Sequence, residues 1–258
     1  MKLVSSVFTL IALLAGAPAQ AEPMVLGTVA TSSARVQVIE GQIPETNPGW
    51  FVELSRRAGK SCGAEVDFAF MPWARALDMV RRGNIAAAFN SSYKLERAKF
   101  GVYPLLSGKP DPNRASKKYG YHLYVGNDLA EDARINALDL TGRTIVVERK
   151  ASIIGNLEYR GAKVIEVASY ISMLRVVASK RVDGAAGIDH NLDPILRRNL
   201  NLKALISKID KPLKQSIGYV MFSKQYYAKH KDLVECFWNE SAALRKTDWF
   251  RSMRAKYD

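Results

Sequence analysis

Residues 66–106 constrain the fold of this chain more than any other stretch. Val66 to Phe70 is a short strand-like run, and Pro72 turns the chain into a helix where its missing N–H costs nothing. From Ala74 to Arg82, apolar Ala76, Leu77 and Val80 recur at helical spacing, and Gly83 supplies the stop. Ile85 to Phe89 is a continuous run of small apolar residues, the mark of a strand buried on both faces. Asn90, Ser91, Ser92 and Tyr93 are expected to leave that strand as a polar loop leading to Arg97. Strand, helix and buried strand in such close order read as an α/β chain. In an open α/β sheet, ligands bind beyond the carboxyl ends of the strands. That rule gathers Trp73, Asn90, Ser92 and Arg97 around one crevice, a set suited to a small anionic or zwitterionic ligand because arginine grips a carboxylate bidentately.

The amino terminus reads as a secretion signal. Lys2 precedes a mostly apolar Leu3 to Ala15, and Ala19-Gln20-Ala21 forms a cleavage site ahead of Glu22. The apolar stretch is short and broken by Ser5, Ser6 and Thr9, which disfavours a membrane anchor. Residues 1–21 are therefore expected to be removed after Ala21, leaving a periplasmic protein without a lipid anchor. The net charge of +13 invites a nucleic-acid reading. The basic residues are nevertheless scattered, apart from pairs such as Arg56-Arg57 and Arg197-Arg198, so a solvated basic surface and no nucleic-acid partner are expected. His122, His190 and His230 lack ligand-like spacing, so no metal and no cofactor is expected. Cys62 and Cys236 leave two outcomes open. They form one bridge in an oxidising compartment, or Cys236 is an inert thiol on the buried face of a helix with Leu233 and Phe237.

The remaining chain repeats the α/β alternation. Val25 to Ala30 is a first strand followed by polar Thr31-Ser32-Ser33, and Gly49 to Leu54 opens a helix. Lys109 to Ser116 is turn-rich and expected at the surface, while Tyr121 to Val125 alternates like an extended strand. The pattern then resets with a strand at Thr144 to Val147, a helix from near Ser152, and a strand at Lys163 to Val167. Ser169 caps a helix whose Ile171, Leu174, Val177 and Ala178 share one face. Asp183 to Ile188 is a small buried strand ending in Asp189, Ser216 to Phe222 is a return strand, and two helices close the chain at Lys231 to Lys246 and Asp248 to Tyr257.

In order and spacing, these motifs resemble the family 3 extracellular solute-binding proteins, the periplasmic receptors of amino-acid ABC transporters. The features that carry the likeness are the Gly49-Trp50-Phe51-Val52-Glu53-Leu54 helix entry, the aromatic segment at Trp73, the polar run ending in Arg97 and the Tyr103-Pro104 pair. Leu140-Thr141-Gly142-Arg143-Thr144-Ile145 and the exit at Asp189 extend it. The resemblance implies a two-lobed, periplasmic-binding-protein-like (type II) α/β fold with two crossing strands. Lobe one would span 22–120 plus 216–258, and lobe two 121–215. It implies that Arg97 holds a ligand's α-carboxylate, Asp189 its ammonium, and Trp73 flanks it, with Ser92, Asn90, Ser152 and Arg75 as further contacts. Closure on a small polar or zwitterionic ligand would present a monomer to an ABC permease or a sensor ectodomain. The carboxyl-terminal helices would return to lobe one, a route that also brings Cys236 toward Cys62.

Two departures point to a divergent branch. Glu148-Arg149-Lys150-Ala151-Ser152 stands where many such receptors carry a glycine-rich turn, and Asn90, Ser92 and Lys94 replace small or hydroxyl residues. Each chosen residue also has a plainer role: Arg97 as a surface ion pair with Glu96, Trp73 as a core anchor, Asp189 as a turn residue. The alternatives are an orphan or sensory binding protein for a non-amino-acid solute, and a dehydratase-type enzyme, because relatives of this fold include a periplasmic cyclohexadienyl dehydratase. Glu148 and Asp189 are the only attractive acids for such chemistry, and neither sits in a catalytic motif, so no catalytic residue is expected.

Overall fold

The structure, a computed structural model, describes residues 23–28, 33–135 and 139–257. The expected signal segment at 1–21, and Thr31 and Ser32 of the first polar loop, lie outside these. Lobe one opens with β1 (Met24–Thr28), α1 (Trp50–Ser61), β2 (Val66–Phe70), α2 (Trp73–Arg82) and β3 (Ala87–Ser92). The short elements α3 (Leu95–Ala98), β4 (Gly101–Val102), β5 (Leu105–Leu106) and β6 (Lys109–Pro110) follow. Strand β7 (Lys117–Gly126) crosses into lobe two, which adds α4 (Ala130–Ile135), β8 (Thr144–Glu148), α5 (Ile154–Tyr159), β9 (Lys163–Val167) and α6 (Tyr170–Ala178). Then come β10 (Gly184–Ile188), α7 (Asp189–Arg198), α8 (Leu200–Leu205) and β11 (Ile206–Lys208). Strand β12 (Lys214–Ser223) crosses back to α9 (Lys224–Lys229), α10 (Lys231–Leu244) and α11 (Asp248–Arg254).

The strands form one curled sheet in the order β2-β1-β3-β12-β7-β10-β8-β9, with β4 beside β12 and β11 beside β7. Both outer parts are parallel, β2-β1-β3 in lobe one and β10-β8-β9 in lobe two. Between them β12 and β7 run antiparallel, pairing Gly218 with Lys117 and Lys214 with Tyr121. The two crossing strands are therefore hydrogen-bonded to each other, and both are longer than the expected Tyr121 to Val125 and Ser216 to Phe222. Backbone pairing lengthened them where the sequence is polar, at Lys117, Lys118 and Gln215.

Each face of each lobe has its own core. Trp50, Phe51, Leu54, Phe68, Phe89, Phe222, Phe237 and Trp238 pack under α1 and α10, whereas Trp73, Leu77, Val80, Tyr103 and Met221 pack under α2. In lobe two, Ile145, Val147, Ile153 and Leu157 occupy one face, and Val146, Met173, Leu174, Val177 and Leu192 the other. Helix α10 returns to lobe one, and a disulfide joins Cys62 to Cys236 across a Cα–Cα distance of 5.9 Å. The inert-thiol alternative is set aside.

Two local expectations change. The Lys109 to Ser116 segment is not simply a surface loop: Lys109–Pro110 pairs with Leu105–Leu106, and Asp111 is buried against Arg114 Nε at 2.9 Å. Arg114 continues to Glu235 of α10 at 2.7 Å, which fixes the segment to the helix. The strand expected over Ile85 to Phe89 is β3 over Ala87–Ser92, so Asn90, Ser91 and Ser92 belong to the strand and not to a loop. Ser91 stands opposite Tyr219 and Ser92 opposite Gly218, and the Ser92 carbonyl also accepts from Arg97 Nη1 and the Tyr103 hydroxyl.

Candidate functional site

The register of β3 on β12 slips within this strand. Ala88 faces Met221 and Ser91 faces Tyr219, so Phe89 and Asn90 share one residue of the partner, Val220. Such a bulge bends the strand and re-aims a side chain. Asn90 sits at the bulge with φ 64°, a left-handed backbone that asparagine tolerates better than most residues. A Cβ on the facing Gly218 would collide with Asn90 Oδ1, which is why glycine stands there. That Oδ1 is buried and has no hydrogen-bond partner among the described residues.

Arg97 is buried on α3, its guanidinium 5.3 Å from the centre of the Trp73 ring. Nη1 donates to the carbonyl of Ser92 at 3.2 Å, and Nη2 crosses to lobe two and donates to the carbonyl of Lys150 at 2.9 Å. Lys150 adopts φ 60°, a conformation easiest for glycine, in the turn where the glycine-rich segment is missing. Glu166 Oε2 accepts from the Lys150 N–H at 2.6 Å and helps hold it. Ser92 Oγ also meets lobe two, donating to Ser152 Oγ at 3.0 Å, and it hydrogen-bonds the Tyr119 hydroxyl.

Lobe two contributes a carboxyl group in an unusual setting. Glu148 ends β8, and burial pushes its pKa up to about 7 against the opposing pull of three partners. The Tyr170 hydroxyl donates to it at 2.5 Å and accepts from Asn191 Nδ2 at 2.8 Å. Arg97 and the backbone N–H of Trp73, at the start of α2, act on it from lobe one. Glu148 therefore faces a helix N-terminus and a guanidinium across the lobe boundary.

Arg35 completes the site. The N–H groups of Trp50 and Phe51, which open α1, donate to the carbonyls of Ala34 and Arg35 at 3.1 and 3.0 Å. Gly49 lies so close to the Arg35 carbonyl that a Cβ could not be placed there. This grip on the backbone sends the Arg35 side chain into the cleft, 6% exposed, with its guanidinium 5.7 Å from the Phe89 ring centre. Its Nε and Nη1 have no hydrogen-bond partner among the described residues. Burial lowers its pKa to about 9, so it stays charged at neutral pH.

Together Arg35, Trp73, Asn90, Ser92 and Arg97 of lobe one face Glu148, Tyr170 and Asn191 of lobe two across a narrow cleft. No family model matches the chain, and no curated protein matches it. Solved structures do. The arginine-, lysine-, histidine-binding protein ArtJ from the thermophilic bacterium Geobacillus stearothermophilus aligns with a TM-score of 0.71 at 16% identity, over 92% of this chain and 95% of that one. The substrate-binding protein of an amino acid ABC transporter gives 0.69 at 14% identity, over 92% and 99%. A histidine kinase sensor domain with similarity to periplasmic binding proteins gives 0.69 at 18% identity, over 91% and 95%. This chain has the two-lobed fold of periplasmic binding proteins.

On that fold the residues chosen from sequence separate into two groups. Trp73, Asn90, Ser92 and Arg97 line the cleft between the lobes. Ser152 is buried and reaches it through its hydrogen bonds to Ser92 and to the Tyr121 hydroxyl. Arg75 is exposed and does not line the cleft. Asp189, at the start of α7, also lies off its lining: Oδ1 accepts from the His190 N–H at 2.7 Å and faces its ring, and Oδ2 is 4.0 Å from His122 Nε2. The fold thus gathers His122 and His190 around one carboxylate although they are distant in sequence. Arg35 was not singled out from the sequence. The same rule that selected Arg97 covers it, since it follows the carboxyl end of β1 in a polar segment.

Proposed function

We propose that this protein is a periplasmic solute-binding protein that closes its two lobes around a small polar, amino-acid-like ligand and delivers it to an ABC permease. The observation that carries the reading is the interlobe cleft itself, where charged and polar side chains from both lobes converge beside the crossing strands. Arg97 reaching Lys150 and Ser92 reaching Ser152 are bonds that an opening of the lobes would break. A ligand touching both walls favours the closed arrangement by its differential affinity for it. The protein performs no catalysis in this reading, acts as a monomer, and is exported by a signal removed after Ala21. Lobe one comprises 22–120 and 216–258, and lobe two 121–215.

The test is a thermal-shift screen of the purified protein against amino acids, polyamines, dicarboxylates and aromatic acids. A ligand at 100 times its Kd stabilises by about 2.7 kcal/mol, enough to move the melting midpoint visibly. No shift with any class would sink the reading. A second reading, a sensor's ligand-binding component, is supported by the departure at Lys150, whose carbonyl rather than a row of glycine amides meets lobe one. Neighbouring permease and ATPase genes would argue for uptake, and signalling genes for sensing.

A further inference from the structure

Arg35 and Arg97 differ in one respect that bears on the ligand. The Arg97 fork is engaged with two backbone carbonyls, one on each lobe. Arg35 is as deeply buried, yet its Nε and Nη1 donate to nothing among the described residues, and its nearest support is the face of Phe89. A buried cation without a partner costs a protein several kcal/mol, so such a group is rare unless something compensates it. Asp189 acts on Arg35 electrostatically, but its carboxylate is already engaged by His190. A few steps along the same wall, Asn90 Oδ1 is a buried acceptor with no donor. The cleft therefore presents an unmatched cation and an unmatched acceptor on its lobe-one side.

We propose that Arg35 binds an acid group of the ligand, that Asn90 accepts from an O–H or N–H of the same molecule, and that Arg97 acts as a latch between the lobes. The ligand class is then a small hydroxy or amino acid bearing a carboxylate for Arg35, whereas a cationic amino acid or a polyamine would bring further positive charge to a cleft already lined by Arg35 and Arg97. This inference rests on the solute-binding reading. It assigns the ligand's acid to a residue that the sequence motifs did not select.

The experiment measures binding to the full chain by calorimetry, using L-malate, L-aspartate, L-glutamate, succinate, L-arginine and putrescine. Acids with a donor bind, and L-malate binds at least about 10-fold tighter than succinate, because succinate leaves the Asn90 acceptor unmatched. Arg35→Met weakens the acids by about 100-fold or more, as expected for truncating one partner of a buried charge pair. Arg35→Lys, which keeps the charge but not the fork, retains part of the affinity. A second readout separates a ligand role from a structural one. Without ligand, Arg35→Met melts higher than the parent, since it removes an uncompensated buried charge. A lower melting point, or unchanged affinity for the acids in Arg35→Met, overturns the proposal. Binding of L-arginine or putrescine in preference to the acids overturns it while leaving the solute-binding reading standing. Silence across this panel and the wider screen removes both.

Discussion

Helices α1 and α10 of lobe one and α6 and α7 of lobe two each cover a sheet face, but with different chemistry. The lobe-one cover is aromatic and cross-linked: Trp50, Phe51, Phe237 and Trp238 are almost wholly buried, and a disulfide ties the end of α1 to α10. The lobe-two cover is built from Met173, Leu174, Val177 and Leu192, without a cross-link, and its outer strand β9 leaves Ile165 45% exposed. The cleft chemistry divides along the same line. Lobe one supplies two guanidiniums whose positions are set by packing and backbone bonds. Lobe two supplies hydroxyls and Glu148, whose pKa burial pushes up to about 7.

Cutting the covalent tie should have the largest effect. Replacing both Cys62 and Cys236 by serine opens a loop with a sequence separation of 174 residues, and such a loss costs about 2–5 kcal/mol. Chemical denaturation of the variant measures it. Hydrogen exchange should show lost protection at α1 and α10 before any change at β8 and β10. Equal loss in both lobes would mean that the lobes unfold as one unit and that the contrast is only chemical.

Next is the latch. Arg97→Met keeps an apolar chain against Trp73 but removes the donation to the Lys150 carbonyl, a charged hydrogen bond worth about 1.5–3 kcal/mol. The lobes should separate more readily, read as a larger radius of gyration by small-angle scattering. An unchanged radius would assign closure to Ser92–Ser152 and to Glu148 at the Trp73 N–H.

Glu148 sharpens the contrast through pH. Its raised folded-state pKa means that the folded protein holds the proton more tightly than the unfolded chain. The stability it confers is therefore present below the ordinary carboxylate range and is lost as pH rises through about 7. Glu148→Gln should flatten the melting-point profile across that window, by an amount on the order of 2 kcal/mol. A profile as steep as the parent's would mean that Glu148 does not carry the pH dependence.

How much of this was legible in the sequence depended on whether a signal was local. Periodicity and punctuation located α2 from Pro72 to Gly83, β9, and the Ser169 start of α6 within a residue or two, because those signals lie inside each element. The extent of β3 was missed because Asn90, Ser91 and Ser92 are polar, and only their pairing with β12 makes them strand. Arg97 was found through its neighbours in a motif. Arg35 was not, since what distinguishes it is a missing partner inside a folded cleft. Asp189 carried a good positional argument; in the fold its carboxylate accepts from the His190 N–H, lies 4.0 Å from His122 Nε2, and acts on Arg35 electrostatically.

The smallest expected effect separates the start of α6 in lobe two from the starts of α1 and α2 in lobe one. In lobe two, Ser169 Oγ accepts from the Ser172 N–H at 3.1 Å, an ordinary side-chain cap on α6. In lobe one neither α1 nor α2 has a side-chain cap, since Gly49 and Pro72 stand at their starts. The first N–H groups of α1 are satisfied at a distance instead, by the Ala34 and Arg35 carbonyls, and the start of α2 faces Glu148 electrostatically. Ser169→Ala should therefore cost about 1 kcal/mol and raise hydrogen exchange only in the first turn of α6, while Ser169→Asp should restore the loss. Neither should alter the scattering profile or ligand affinity. A change in closure would mean that this cap is transmitted through Tyr170 to Glu148, joining lobe two's local stability to the cleft as lobe one's helix starts already are.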